Sequence, residues 1–189
     1  MLTALVVSTG AGAQRRQTAR QQPTTVILVR HAEKFTGNPL DQNPPLSPEG
    51  WQRARDLYRL LKGRHVQAII TTQLDRTRMT ARPAADSLHI VPEELDAQTP
   101  AASVAELIRT RHAGQTVLVV GHGNTVTKII AALGGPTLGD ICDSAYSNIF
   151  TLVVPRSGTP RLTHAHYGAA DPPGDHDCVD GIKEEHHSR

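Results

Sequence analysis

The sequence predicts an α/β fold: a three-layer sandwich in which a mostly parallel, mixed sheet carries helices on both faces. Three observations predict it. Short apolar runs rich in β-branched residues alternate with stretches of helical spacing, the pattern of strands buried on both faces. The last two runs, 148–155 and 161–167, flank Arg156 to Pro160 and read as an antiparallel edge pair. The length, 189 residues, suits one domain with a substantial core.

The elements follow in order. "TVILVR" (25–30) is a central strand, and "FTGNPLDQNPP" (35–45) is loop. Ser47 and Pro48 read as an N-cap and first helical turn, with Glu49 near the same positive end. Ala54, Leu57, Tyr58 and Leu61 recur at helical spacing, Trp51 packs at the start of that helix, and Gly63 ends it. "VQAIITT" (66–72) is a second buried strand, followed by a helix over 74–88 that bends near Pro83. Residues 90–96 form a short extended segment. Residues 101–114 form a helix with Val104, Leu107 and Ile108 inward. "TVLVVGHG" (116–123) is the third buried strand, and a helix over 124–135 closes on two glycines.

The folded domain is read as 23–168. Residues 169–189 form a polar, disordered tail whose His186 and His187 show no ligand geometry. At the other end, the apolar and small residues up to Ala13 resemble a signal peptide with a cleavage-like Ala-Gly-Ala at 11–13, but without a basic start. Residues 1–22 are therefore read as a signal remnant and flexible lead-in, which makes the expected location extracytoplasmic, periplasmic or secreted. A net charge of +2, with basic residues scattered, excludes a nucleic-acid stripe. No apolar run is long enough to span a membrane. Cys142 and Cys178 allow one bridge or two thiols, and their spacing makes no zinc site.

Two buried strands end alike, in Arg30-His31 and in Gly121-His122-Gly123. Parallel sheets bind ligands beyond the C-terminal ends of their strands, so the two histidines face one crevice. A third strand ends at Thr72 and feeds Asp75-Arg76-Thr77-Arg78, adding an arginine to Arg30. Paired guanidinium groups clamp a tetrahedral oxyanion. A metal is disfavoured because Arg30 adjoins His31 and would repel a cation. A neutral imidazole beside bound phosphate is a nucleophile for phosphorus.

These residues resemble the histidine phosphatase superfamily, which includes the cofactor-dependent phosphoglycerate mutases. The resemblance rests on Arg30-His31-Ala32, on "PLSPEGWQRARDL" (45–57), on Thr72-Gln73-Leu74-Asp75-Arg76 with Thr80-Ala81, and on Gly121-His122-Gly123, running from about 24 to 167. It implies a phosphoglycerate mutase-like fold, a nucleophilic His31, and a phosphate pocket of Arg30, Arg76 and His122. The motif spacing selects Arg76 over Arg78. A general acid is expected in "VPEELDAQ", with Asp96 favoured and Glu94 and Glu93 as alternatives. A backbone carbonyl or Ser47 is expected to fix the His31 tautomer, and Lys34 is a candidate at the rim. The implied activity is metal-independent phosphomonoester hydrolysis without a cofactor. The substrate would be a small-molecule phosphomonoester, with a phosphoprotein as alternative. The rival readings are a non-catalytic phosphate or phospholigand binder and a phosphoglycerate mutase-type phosphotransferase, the latter disfavoured because the stretches between His31, Arg76 and His122 leave no room for enclosing insertions.

Overall fold

The computed structural model describes residues 22–172 and Val179. The readings that concern the N-terminal lead-in, Cys178, His186 and His187 lie outside these described residues.

The observed elements are β1 (Thr24–Arg30), α1 (Pro48–Leu61), β2 (Ala68–Thr72), α2 (Asp75–Leu88), β3 (Glu93–Leu95), α3 (Ala101–Arg111), β4 (Thr116–Gly121), α4 (Gly123–Ala132), β5 (Asn148–Val154) and β6 (Arg161–His166). They build one six-stranded sheet in the order β3-β2-β4-β1-β5-β6. The first four strands in that order are mutually parallel, and β5 and β6 run antiparallel. This is the expected three-layer α/β sandwich with a mixed, mostly parallel sheet.

The alternation of the central strands explains the two helical layers. In β1, Val26 and Leu28 enter one core while Ile27 and Val29 enter the other. In β4, Val117 and Val119 separate in the same way from Leu118 and Val120. Leu57, Leu61, Ala81 and Ala84 cover one face from α1 and α2. Val104, Ile108, Val126 and Ile130 cover the other from α3 and α4. On α3 the buried residues are Val104, Ala105 and Ile108, while Leu107, expected inward, packs at the margin. Pro83 stands inside α2, which is one continuous helix. Its buried alanines, Ala81, Ala84 and Ala85, lie flat on the sheet and hold the element across the missing N–H.

The register sets the site. Arg30 of β1 is paired with Gly121 of β4, and the His31 N–H donates to the Gly121 carbonyl at 2.9 Å. Both strands therefore end level, and the residues that follow them emerge side by side. Because β5 is antiparallel to β1, with Ile149 opposite Val29, the loop 136–147 that enters β5 must return to this same edge. Because β6 is antiparallel to β5, with His166 opposite Asn148, the chain leaves β6 there as well.

Beyond β6, Asp171 is only 6% exposed and Val179 packs into a core cluster. The sequence there lacks hydrophobic periodicity because its anchoring is polar.

Gly50, in the first turn of α1, shows how tightly the chain folds at the site edge. A Cβ there would sit 2.1 Å from the Glu33 carbonyl oxygen. That oxygen also accepts from the Ser47 N–H at 2.9 Å, so it has little room to retreat. Gly50→Ala is expected to lower the unfolding free energy by about 1–3 kcal/mol, read by urea denaturation.

Candidate active site

His31 and His122 meet edge to face, with ring centroids 5.5 Å apart. Both are buried, at 3% and 9% exposure. With Arg30, Arg76 and Lys34 they line a cavity of about 620 Å³. Leu74, Ala97, Gln98, Asn124, Asp140 and Asp143 complete much of its wall.

Each side chain is held for a local reason. His31 Nδ1 lies 2.8 Å from the Ala32 carbonyl oxygen. A carbonyl can only accept, so Nδ1 carries the proton and the Nε2 lone pair is left free. Of the two tautomer anchors considered, the backbone carbonyl is the one in contact. Ser47 instead caps α1, its Oγ accepting from the Gly50 N–H at 3.2 Å. The Ala32 N–H donates to Thr80 Oγ1 at 2.9 Å, and that hydroxyl donates to the Arg76 carbonyl at 2.7 Å. Thr80 thus bolts the turn after β1 to the first turns of α2, which gives the Thr80-Ala81 pair its place in the motif. His122 Nε2 contacts Thr72 Oγ1 at 3.1 Å, joining the ends of β2 and β4.

Arg30 is 4% exposed. Its Nη1 donates to the Cys142 carbonyl at 2.5 Å, and its Nη2 meets Asp143 Oδ1 at 3.2 Å. The Tyr146 ring lies 4.4 Å beneath the guanidinium carbon. The Nε groups of both Arg30 and Arg76 are buried with no protein partner. Arg78 is turned away, paired with Asp75 and, at 3.7 Å, with Glu94. Of the two arginines, Arg76 is the one that lines the cavity.

The charges are arranged for an anion. Burial, chiefly, lowers His31 to about 3; the hydrogen bond to Ala32 opposes this, and the charges of Arg30, His122 and Arg76 reinforce it. His122 falls to about 4 by burial and then by the charges of Arg76 and Arg30. Arg76 is itself pulled below the ordinary guanidinium value by burial and by Arg30. Two like charges are pressed together beside two neutral imidazoles, which a phosphoryl dianion would relieve. Gly123 lies closely under the Ile141 carbonyl, 2.6 Å from where a Cβ would stand, and it opens α4, whose amide end faces the cavity.

The carboxylates expected to supply the acid lie elsewhere. Glu93 is bound to His112 at 2.8 Å and to Arg111 at 3.0 Å, at the end of α3. Glu94 faces Arg78. Asp96 is exposed, and its Oδ1 accepts from the Gln98 N–H at 2.7 Å in a local turn. Its neighbours Ala97 and Gln98 line the cavity.

Glu33 and Lys34 separate in role. Lys34 lines the cavity. Glu33 makes a bidentate pair with Arg53, Nε to Oε2 at 3.0 Å and Nη2 to Oε1 at 2.7 Å. Arg53, 3% exposed, also donates to the Tyr167 and Ala169 carbonyls at 2.8 and 3.0 Å. From the other side, Asp171 accepts from the Tyr146 and Ser147 N–H groups at 2.8 and 3.0 Å and from Ser147 Oγ at 2.6 Å. The chain after β6 therefore clasps both walls of the Arg30-His31 turn.

Sequence reasoning missed Tyr146, Asp143 and the rest of the 136–147 loop. The signal was available: an antiparallel β5 must begin at the edge where β1 ends. Cys142, in this loop, is disulfide-bonded, and Cys178, the other cysteine of the sequence, lies outside the described residues. Among the described residues, no three His, Cys, Asp or Glu side chains are grouped to hold a metal ion. No helix among them is long and apolar enough to cross a membrane.

Residues 26–99 match the family model described as the histidine phosphatase superfamily (branch 1). No curated protein matches the chain. Among solved structures, the protein histidine phosphatase SixA complexed with tungstate superposes with a TM-score of 0.61 at 20% identity, over 75% of this chain and 96% of that one. A mycobacterial glucosyl-3-phosphoglycerate phosphatase gives 0.56 at 17%, over 77% and 99%. A phosphoserine phosphatase mutant from Entamoeba histolytica, in complex with phosphoserine, gives 0.53 at 20%, over 74% and 95%. At these identities the likeness to each is one of fold. The family match covers the strand, loop and helix that carry Arg30, His31 and Arg76, and the likeness of fold extends over the strands beyond it.

Proposed function

We propose that the protein is a metal-independent phosphomonoester hydrolase that works through a phosphohistidine at His31. The observation that carries this reading is one cavity holding a neutral imidazole with Nε2 free and two guanidinium groups with unpaired, buried Nε–H. Nε2 attacks phosphorus, the Nε2–P bond forms, and the P–O bond to the leaving group breaks with its electron pair on oxygen. Arg30 and Arg76 complement the equatorial oxygens as charge spreads over them. His122, braced by Thr72, supplies a further contact to those oxygens. The leaving oxygen takes a proton from an acid. Water then attacks the phosphoenzyme, phosphate departs, and the imidazole returns neutral. The family resemblance would assign that acid to Asp96, which would have to give up its bond from Gln98 and turn towards the cavity that Ala97 and Gln98 line.

A small-molecule phosphomonoester is the substrate class that this polar cavity fits best. A second reading, a phosphoprotein bearing a P–N bond, is favoured by Ala97 on the β3 side of the wall, since such a leaving group departs with less need of an acid. The SixA neighbour, called a protein histidine phosphatase, agrees with that reading. The disulfide at Cys142 favours an oxidising, extracytoplasmic compartment. The rival, a phospholigand binder without turnover, would keep the arginines and be indifferent to His31.

Wild-type protein is expected to turn over p-nitrophenyl phosphate, and His31→Ala to reduce kcat by roughly a thousandfold or more while still folding. Acid and alkali quenches should show protein-bound label that is alkali-stable and acid-labile, and EDTA should leave the rate unchanged. Folded wild-type protein with no activity over roughly pH 4–8 would return the site to the binding reading.

The histidines set the pH dependence. Folded values of about 3 and about 4 lie below the ordinary 6.5, so His31 and His122 stay uncharged through neutral and mildly acidic pH. Their contribution to stability is complete above pH 6.5 and is lost as pH falls towards those folded values. Nitrogen NMR of the free protein should show both rings neutral from about pH 8 down to about pH 5. Unfolding free energy should fall on acidification below about pH 6.5 more steeply in wild type than in His31→Ala. A ring that charges near the ordinary value would contradict the burial argument.

A further inference from the structure

We propose that Asp143, on the loop entering β5, is the general acid and base for oxygen leaving groups, acting from the same guanidinium that holds the phosphoryl group. This rests on the phosphoenzyme reading above. Asp140 and Asp143 are the carboxylates in the cavity wall among the described residues, and Asp143 is the one paired with a pocket arginine, Arg30. Its Oδ1 lies 3.2 Å from Arg30 Nη2, which places a carboxylate beside a residue of the phosphate pocket.

The surroundings fit the role. The Asp143 side chain is fully open to solvent while Arg30 is buried, so the acid can exchange protons with water at the mouth of a site whose floor cannot. An ion pair with one fully exposed partner is weak and yields readily to a dianion. The loop carrying it is fixed on both sides: the Ile141 N–H donates to Gly123 O at 3.0 Å, and the Tyr146 N–H donates to Asp171 at 2.8 Å. The Cys142 carbonyl holds Arg30 Nη1 directly next to it in sequence. Asp96, by contrast, is engaged in its own turn.

The order of events follows from charge. A phosphoryl dianion on Arg30 displaces and repels the Asp143 carboxylate, and proton uptake by Asp143 from solvent relieves that repulsion. The carboxyl proton then passes to the leaving oxygen as the P–O bond breaks and the Nε2–P bond forms. In the second half, the carboxylate removes a proton from the attacking water as its O–P bond forms and the Nε2–P bond breaks with its electron pair returning to Nε2; phosphate leaves and the carboxyl group is regenerated for the next cycle.

The test compares kcat/KM, which reads through the first irreversible step, for p-nitrophenyl phosphate and for an alkyl phosphate. Nitrophenolate leaves with little protonation and an alkoxide does not. Asp143→Asn should lower the alkyl value about 100-fold and the nitrophenyl value less than about tenfold, with Asp143→Glu restoring part of the difference. Equal losses on both esters would overturn the assignment, since a merely structural change does not sense the leaving group. The selective loss appearing in Asp96→Asn or Asp140→Asn instead would overturn it too. Wild-type enzyme active on the nitrophenyl ester but inert on alkyl esters would overturn it while leaving the phosphoenzyme intact. No turnover of either ester would remove the phosphoenzyme reading itself.

Discussion

The site depends on one constraint: a guanidinium is buried at the end of a strand that is itself wholly interior. Val26 to Val29 are at most 1% exposed, and Arg30 follows them without a break. A charge in that position needs acceptors, and the molecule supplies carbonyls from Cys142 and Ala145, an aromatic face from Tyr146, and a single solvent-exposed carboxylate. None of these cancels it fully. Burial first, and then the residual positive field of Arg30 and Arg76, keeps the neighbouring imidazoles neutral, and that field makes a doubly negative group the natural complement of the cavity.

Much of this was legible beforehand because it follows from periodicity and from strand ends. The alternation of small and branched apolar residues in 25–30, 66–72 and 116–121 carries both cores, so the layers and the parallel centre could be read directly. Arg30-His31 and Gly121-His122 could be placed together because parallel strands deliver their C-terminal ends to one edge. Arg76 could be separated from Arg78 only by motif spacing, since on a bare helix both look like solvated charges.

What was not legible depends on polar contacts between distant segments. Glu33 reads as a rim charge until Arg53, twenty residues on, is seen to grip it. Asp171 reads as one more acidic residue in a polar tail. Its burial arises from backbone N–H groups at 146 and 147, and a linear scan assigns backbone donors no signature. The resemblance places an acid after β3, yet the carboxylate beside Arg30 comes from a loop with no recognisable pattern. Such loops are placed by topology, and topology here was half known as soon as the terminal hairpin was recognised.

Arg53 binds Glu33 on one wall and the carbonyls of Tyr167 and Ala169 on the way to Asp171 on the other. A single side chain outside the cavity wall is therefore shared between two supports of the Arg30-His31 turn. Replacements at Arg53 and Glu33 are then coupled: what is tolerated at one position depends on what occupies the other. The chemistry-bearing residues constrain one another through the substrate. This outer set constrains itself without any ligand, so it can stay fixed even where the cavity is refitted to a different one.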